Sequence, residues 1–79
     1  MKEIIAHGEY VKSISYSRDY SKLVSGSYDF KFKVWDTKEL EMLKEVELPR
    51  EVMTVQFADS DRIVAGCCDG VIRTFDTNY

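Results

Sequence analysis

With 79 residues, 44% of them apolar, the chain is one small domain at most, with little material for a core of its own. Its 11 basic and 14 acidic residues leave a net charge of −3, which argues against nucleic acid and anionic membrane surfaces, since both reward clustered Lys and Arg. No apolar run approaches the roughly 20 residues of a membrane-spanning helix, and the opening residues do not read as a secretory signal.

Residues 1–6 are a short strand candidate around Ile4 and Ile5, and His7, Gly8, Glu9 and Tyr10 follow as a connection. Residues 11–17 read as a strand, but the apolar Val11, Ile14 and Tyr16 are spaced three then two. Strict alternation would be two and two, and one extra residue is what a β-bulge inserts. Residues 18–22 form a polar hairpin loop, and residues 23–27 a second strand. A tight turn then centres on Asp29, whose carboxylate is suited to accept from nearby backbone N–H groups. Residues 32–35 return as a third strand, and residues 37–41 make a charged outer turn. Residues 42–48 form a fourth strand, mostly polar, as suits an exposed edge. Pro49 closes that segment, which is too short to hold as an uncapped helix.

The same text then recurs. Gly26, Asp29 and Asp36 reappear as Gly66, Asp69 and Asp76 at an offset of 40, and Val11, Ile14 and Tyr16 reappear as Val52, Val55 and Phe57 at 41. The irregular three-then-two spacing is itself repeated, and the connection from Phe57 to Ile63 is one residue shorter than that from Tyr16 to Leu23. A self-repeat of about 40 residues is the period of a four-stranded propeller blade.

Cys67 and Cys68 are adjacent in a predicted strand, so their side chains point to opposite faces and a bridge between them is disfavoured. No second Cys or His group lies at ligand spacing, so neither a metal nor a cofactor is expected. Two reduced thiols suit a cytoplasmic or nuclear setting. Asp19, Asp59 and Asp61 fit no calcium loop and read as solvated turn residues. Lys31, Lys33 and Arg73 form a thin basic scatter without aromatics interleaved on one face, which reads as a solvated surface. The aromatics Tyr16, Phe32, Trp35, Phe57 and Phe75 fall at core positions.

His7, Ser25-Gly26-Ser27, Asp29 and Phe32-Lys33-Val34-Trp35-Asp36, together with the strand at Val11, Ile14 and Tyr16, resemble the WD-repeat (WD40) β-propeller family. The resemblance covers nearly the whole chain, although Ala6-His7 stands where the family opens on Gly-His. It implies an all-β fold of two four-stranded antiparallel blades, with strands in the order d-a-b-c-d-a-b-c and incomplete as a single chain. Residues 1–6 would be an outer strand completing another blade, residues 7–48 the first repeat, and residues 49–79 a degenerate second one. The resemblance also implies a structural hydrogen-bonded set of His7, Ser25, Asp29 and Trp35, with Ser27 as a substitute for Ser25. A buried carboxylate needs donors, and imidazole, hydroxyl and indole groups supply them. In the second repeat Leu48, Ala65 and Phe75 replace three of the four. Asp69 survives as a turn former with Gly70, so that blade is expected to rest on packing and be the weaker.

His7, Ser25 and Asp29 superficially make a Ser-His-Asp set, but nothing offers an oxyanion hole or a nucleophile on a strained elbow, and no enzyme activity is expected. The resemblance implies a scaffold or adaptor for protein or peptide partners. Its docking positions fall on Tyr10, Lys12 and Tyr28 in the first repeat and on Glu51, Met53 and Cys68 in the second. Tyr10 and Tyr28 lead, because exposed Tyr commonly anchors interfaces. A nucleic-acid-associated propeller module is the rival reading, and it requires a basic face. Closed propellers need typically 4–8 blades. The missing blades therefore come from a longer chain, from a partner, or from three or four copies in a closed ring, each copy's residues 1–6 completing its neighbour's second blade.

Overall fold

The computed structural model describes residues 3–59 and 62–76. Expectations for residues 1–2 of the opening strand, for loop residues 60 and 61, and for the tail at 77–79 lie outside the described residues. Among the described residues seven strands form, β1 (Val11–Tyr16), β2 (Lys22–Ser27), β3 (Lys31–Asp36), β4 (Met42–Glu47), β5 (Val52–Asp59), β6 (Arg62–Cys67) and β7 (Ile72–Asp76). They build two antiparallel sheets, β1-β2-β3-β4 and β5-β6-β7. Residues 3–6 join neither of these two sheets; the strand expected of residues 1–6 is one for another blade. The ammonium of Lys33 donates to the Ala6 carbonyl at 2.6 Å.

The repeated spacing has a structural cause. The ladder between β1 and β2 slips between Val11 and Ser13, and that between β5 and β6 slips between Val52 and Thr54. Each bulge absorbs one residue, so Val11, Ile14 and Tyr16 share a face, as do Val52, Val55 and Phe57. Cys67 ends β6 and is buried, whereas Cys68 opens the following turn and is exposed; both are free thiols. The adjacent pair therefore straddles a strand end, where the sequence reading put both residues in the strand.

The hairpin turns repeat as well. Asp29 accepts from the Lys31 N–H at 3.1 Å, and Asp69 accepts from the Val71 N–H at 3.1 Å. In both, the next residue is left-handed, Phe30 with φ 73° and Gly70 with φ 78°. A Cβ placed at Gly70 would meet nothing within 4 Å, so an alanine there bears only the backbone cost. Gly70→Ala is expected to lower stability by about 1 kcal/mol, read as a drop of about 4–8 °C in Tm. Phe30→Gly, which relieves the same strain in the first hairpin, should shift Tm the other way.

The two sheets stack face to face. Val24, Phe32 and Val34 of the first meet Val52, Val55, Ile63 and Ala65 of the second in one core, and every one of them is at most 3% exposed. The rings of Phe32 and Phe75 meet edge to face with centroids 4.9 Å apart. Gly26 sits where β5 comes closest: a Cβ there would lie 2.7 Å from one methyl of Val52 and 2.9 Å from one of Val55. Any larger residue there would force these buried methyls to move.

Polar contacts stitch the same seam. The Ser13 hydroxyl donates to the Val55 carbonyl at 3.3 Å and accepts from the Val55 N–H at 3.2 Å, and Ser15 accepts from the Phe57 N–H at 3.2 Å. Val55 and Phe57 turn these peptide groups away from β6, so without the serines they would be stranded at a buried edge. A hydroxyl suits the place because it both donates and accepts.

Candidate functional site

One side of the first sheet carries a linear chain of hydrogen bonds. The Trp35 indole N–H donates to Ser25 Oγ at 2.9 Å, Ser25 Oγ meets His7 Nε2 at 2.8 Å, and His7 Nδ1 meets Asp29 Oδ2 at 2.9 Å. The directions follow from the partners. A carboxylate only accepts, so Nδ1 carries a proton and donates it, and Ser25, its lone pair engaged by the indole, donates its own proton to Nε2. His7, Ser25 and Trp35 are buried, and Asp29 is half-buried at the end of the chain. Ser27 lies outside it, its hydroxyl accepting from the Asp29 N–H at 3.1 Å.

Residues 6–8 close over this chain. Lys33 holds the Ala6 carbonyl and lies 6.0 Å from the Trp35 ring centroid, within cation–π range. The role of Lys33 was not visible in the sequence, since nothing local links it to Ala6. Burial pulls the Asp29 carboxyl upward, but the His7 hydrogen bond and the N–H groups of Lys31 and Gly8 outweigh it and hold it below the ordinary value. Asp19, in the first hairpin loop, is lowered to about 2 by the Ser21 N–H, the Ser21 hydroxyl and the Ser17 hydroxyl.

These shifts fix a sign. A carboxylate with a lowered folded value binds fewer protons folded than unfolded near pH 4, so its stabilisation is complete above the unfolded value and withdrawn as pH falls through the folded one. Tm is therefore expected to be flat above about pH 5 and to fall below about pH 4. Asp29→Asn should cost about 1.5–3 kcal/mol at neutral pH, and its gap from the wild type should narrow on acidification. Thermal unfolding of both proteins across this pH range checks the prediction.

The arrangement of Asp29, His7 and Ser25 is that of a nucleophilic triad in connectivity alone. Ser25 is 3% exposed and sits under the Trp35 indole, where no substrate carbonyl reaches its oxygen. What the chain does is tie together the residue 6–8 connection, β2, β3 and the hairpin turn. In the second sheet, Ala65 is fully buried, Leu48 is buried and Phe75 is half-buried at the matching places. Asp69 pairs there with Arg73 at 3.0 Å, a partner that the turn-former reading of Asp69 missed. The strand basic residues are engaged too, with Lys31 and Lys33 lying 3.8 and 3.6 Å from Glu45.

The proposed docking positions gather along one edge of the two sheets. The Tyr28 N–H donates to the Tyr10 carbonyl at 3.3 Å, and the two rings meet edge to face at 6.2 Å. The Cys68 N–H donates to the Glu51 carbonyl at 3.0 Å in the corresponding place of the second sheet. Lys12 and Met53 are the extra residues of the two bulges. Tyr10 and Lys12 are exposed, as is Cys68, whereas Tyr28, Glu51 and Met53 are half-buried. Glu51 is held by Arg50 at 3.0 Å.

Two antiparallel sheets stacked in the same orientation at a 40-residue period, each with a bulged inner strand, are blades of a β-propeller. The first of them is of the WD-repeat (WD40) type. Residues 1–36 match the WD domain, G-beta repeat family. The chain is 33% identical over 81 residues to the serine/threonine-protein kinase VPS15 of Arabidopsis thaliana, a match covering 92% of this chain and 5% of that protein. It is 32% identical over 75 residues to the COMPASS component SWD3 of Saccharomyces cerevisiae, covering 91% of this chain and 24% of that one. The β-propeller domain of Cps50 (Swd1) from Myceliophteria thermophila superposes with a TM-score of 0.84 at 20% identity, over 92% of this chain and 24% of that chain. The chain thus spans about a quarter or less of the length of these proteins. Among the described residues, no helix is long and apolar enough to cross a membrane.

Proposed function

We propose that the chain is a non-catalytic scaffold module that holds protein or peptide partners along the edge formed by Tyr10, Lys12, Tyr28, Glu51, Met53 and Cys68. The observation that carries this is the Tyr10–Tyr28 pair: Tyr10 is 75% exposed yet braced by the Tyr28 ring and backbone. Aromatic side chains held in place lose little entropy on contact and anchor interfaces well. The name of SWD3, a component of an assembly, supports a partner-binding role. Engagement of Lys31, Lys33 and Arg73 by carboxylates weighs against the nucleic-acid reading.

In this reading residues 7–48 are one repeat, residues 49–79 a degenerate second, and residues 1–6 an outer strand for another blade. The pair works within a larger propeller, completed by a longer chain or by further copies, in the cytoplasm or nucleus. Peptides selected from a displayed random library against the 79-residue chain test the docking edge. Tyr10→Ala and Tyr28→Ala are each expected to weaken the selected peptides at least about tenfold, the loss of roughly 1.4 kcal/mol. Unchanged affinity in both variants, with Tm preserved, would reject this edge.

A further inference from the structure

At the far end of the strands from Tyr10 and Tyr28, the two blades leave a cleft between them. β1 starts beside Tyr10 and runs six residues to Tyr16, so the two ends lie about 17 Å apart. Tyr16, Arg18, Phe57 and Ala58 line the cleft, which holds about 170 Å³, the room of one benzene-sized group. It lies where the inner strands cease to match: β5 slips a second time, between Phe57 and Asp59, and β1 does not. Its walls come from two blades already packed together, so its opening does not depend on a blade before or after them. Arg18 is exposed, and among the described residues its side chain has no ion-pair or hydrogen-bond partner. Asp19, the next residue, spends its acceptors within the loop, on the Ser17 hydroxyl at 2.9 Å, the Ser21 N–H at 3.0 Å and the Ser21 hydroxyl at 2.8 Å. The Thr37 hydroxyl braces the same loop by donating to the Tyr20 carbonyl at 2.7 Å. So held, Tyr20 keeps a left-handed φ of 63°, costly for a bulky residue, and is 70% exposed.

We infer that this cleft is a second docking site, for an acidic segment of a protein partner whose Asp or Glu carboxylate meets the Arg18 guanidinium. A guanidinium presents two parallel N–H groups that match the two oxygens of a carboxylate. One cation balances one carboxylate, whereas phosphorylated segments are met by clusters of Arg. The cleft has room for a single side chain, and Phe57 and Ala58 give its methylenes an apolar wall. Tyr20, two residues from Arg18 on the same stiffened loop, offers an aromatic surface to a flanking residue. Tyr and Arg are the residue types that dominate binding hot spots, and here the loop fixes their backbone before any partner arrives.

Displayed random peptides selected on the 79-residue chain carrying Tyr10→Ala and Tyr28→Ala test the site with the other edge disabled. The selected peptides are expected to share one Asp or Glu position and to lose affinity as salt rises. Arg18→Gln should weaken them at least about tenfold. Ala58→Leu, which fills the cleft and leaves the charge in place, should weaken them by a similar factor. Both positions are exposed, so both variants should keep the Tm of the parent chain. Changing the shared acid to its amide should cost the same factor on the parent chain and nothing further on Arg18→Gln, because the two groups act as a pair. Failure to select any peptide, a selected set with no shared acid, undiminished binding to Arg18→Gln or Ala58→Leu, or losses that simply add would overturn the site. Selection on the chain with Tyr10 and Tyr28 intact tests the other edge separately, so the two readings fail independently.

Discussion

Replacing Trp35 with alanine is expected to lower the stability of the chain by about 3–5 kcal/mol, the range for truncating a large buried aromatic. Trp35 is 7% exposed, its ring is covered by Lys33, and its indole N–H is the first donor in the chain that ends on Asp29. A domain of this size has roughly 4–12 kcal/mol in all, so the variant should melt about 15–30 °C lower or fail to fold at 37 °C. Trp35→Phe separates the two contributions. Phenylalanine stands at the same place in the second blade, as Phe75, so most of the packing survives and the hydrogen bond is lost. That variant should cost about 1–2 kcal/mol. A Trp35→Ala protein that melts with the wild type would remove any structural role from the hydrogen-bonded set.

Phe32→Ala is expected to cost a similar 3–5 kcal/mol, by a different route. Phe32 is fully buried on β3 and reaches across the seam to Phe75, so its loss opens a cavity between the blades rather than within one. Phe75→Ala should cost less, since Phe75 is half-buried and its replacement strands no donor. The ring pair itself is worth about 0.5–1.5 kcal/mol, which a double-mutant cycle of Phe32 and Phe75 measures as coupling. Additive losses in urea unfolding would show that the two rings stabilise the seam independently.

The loss of stability expected in acid follows from carboxylates that the two hairpins hold in different ways. Asp29 spends its acceptors on a buried imidazole and two backbone N–H groups, Asp69 on Arg73 and the Val71 N–H. The first arrangement knits three segments together. The second stays within one hairpin, so the second blade is tied to the first by the apolar contacts of Ile63, Ala65 and Phe57 and by the hydrogen bonds of Ser13 and Ser15.

The sequence by itself determined the elements and their order. Alternating apolar residues, the Asp-centred turns and the polar loops are local features, set by side-chain direction along a strand and by backbone preferences at turns. The bulge was legible for the same reason, because one extra residue leaves its mark in the spacing of Val11, Ile14 and Tyr16 and again in Val52, Val55 and Phe57. The set His7, Ser25, Asp29 and Trp35 was what the resemblance to WD repeats implied, while its distances and hydrogen-bond order came from the fold.

Tertiary structure decided what depends on residues far apart in the chain. Residues 3–6 join neither sheet of this chain, and only the fold shows that the Ala6 carbonyl accepts from Lys33, 27 residues on. Ser13 and Ser15 read as ordinary polar residues on an exposed strand until β5, 42 residues on, brings them its peptide groups. Gly26 reads as a small residue in a repeat, and only the approach of Val52 and Val55 shows why nothing larger stands there. The pairing of Asp69 with Arg73 spans a single hairpin, yet it depends on the turn bringing a strand side chain back over its own loop. In each case the deciding energy is a contact between segments, which spacing along one strand does not record.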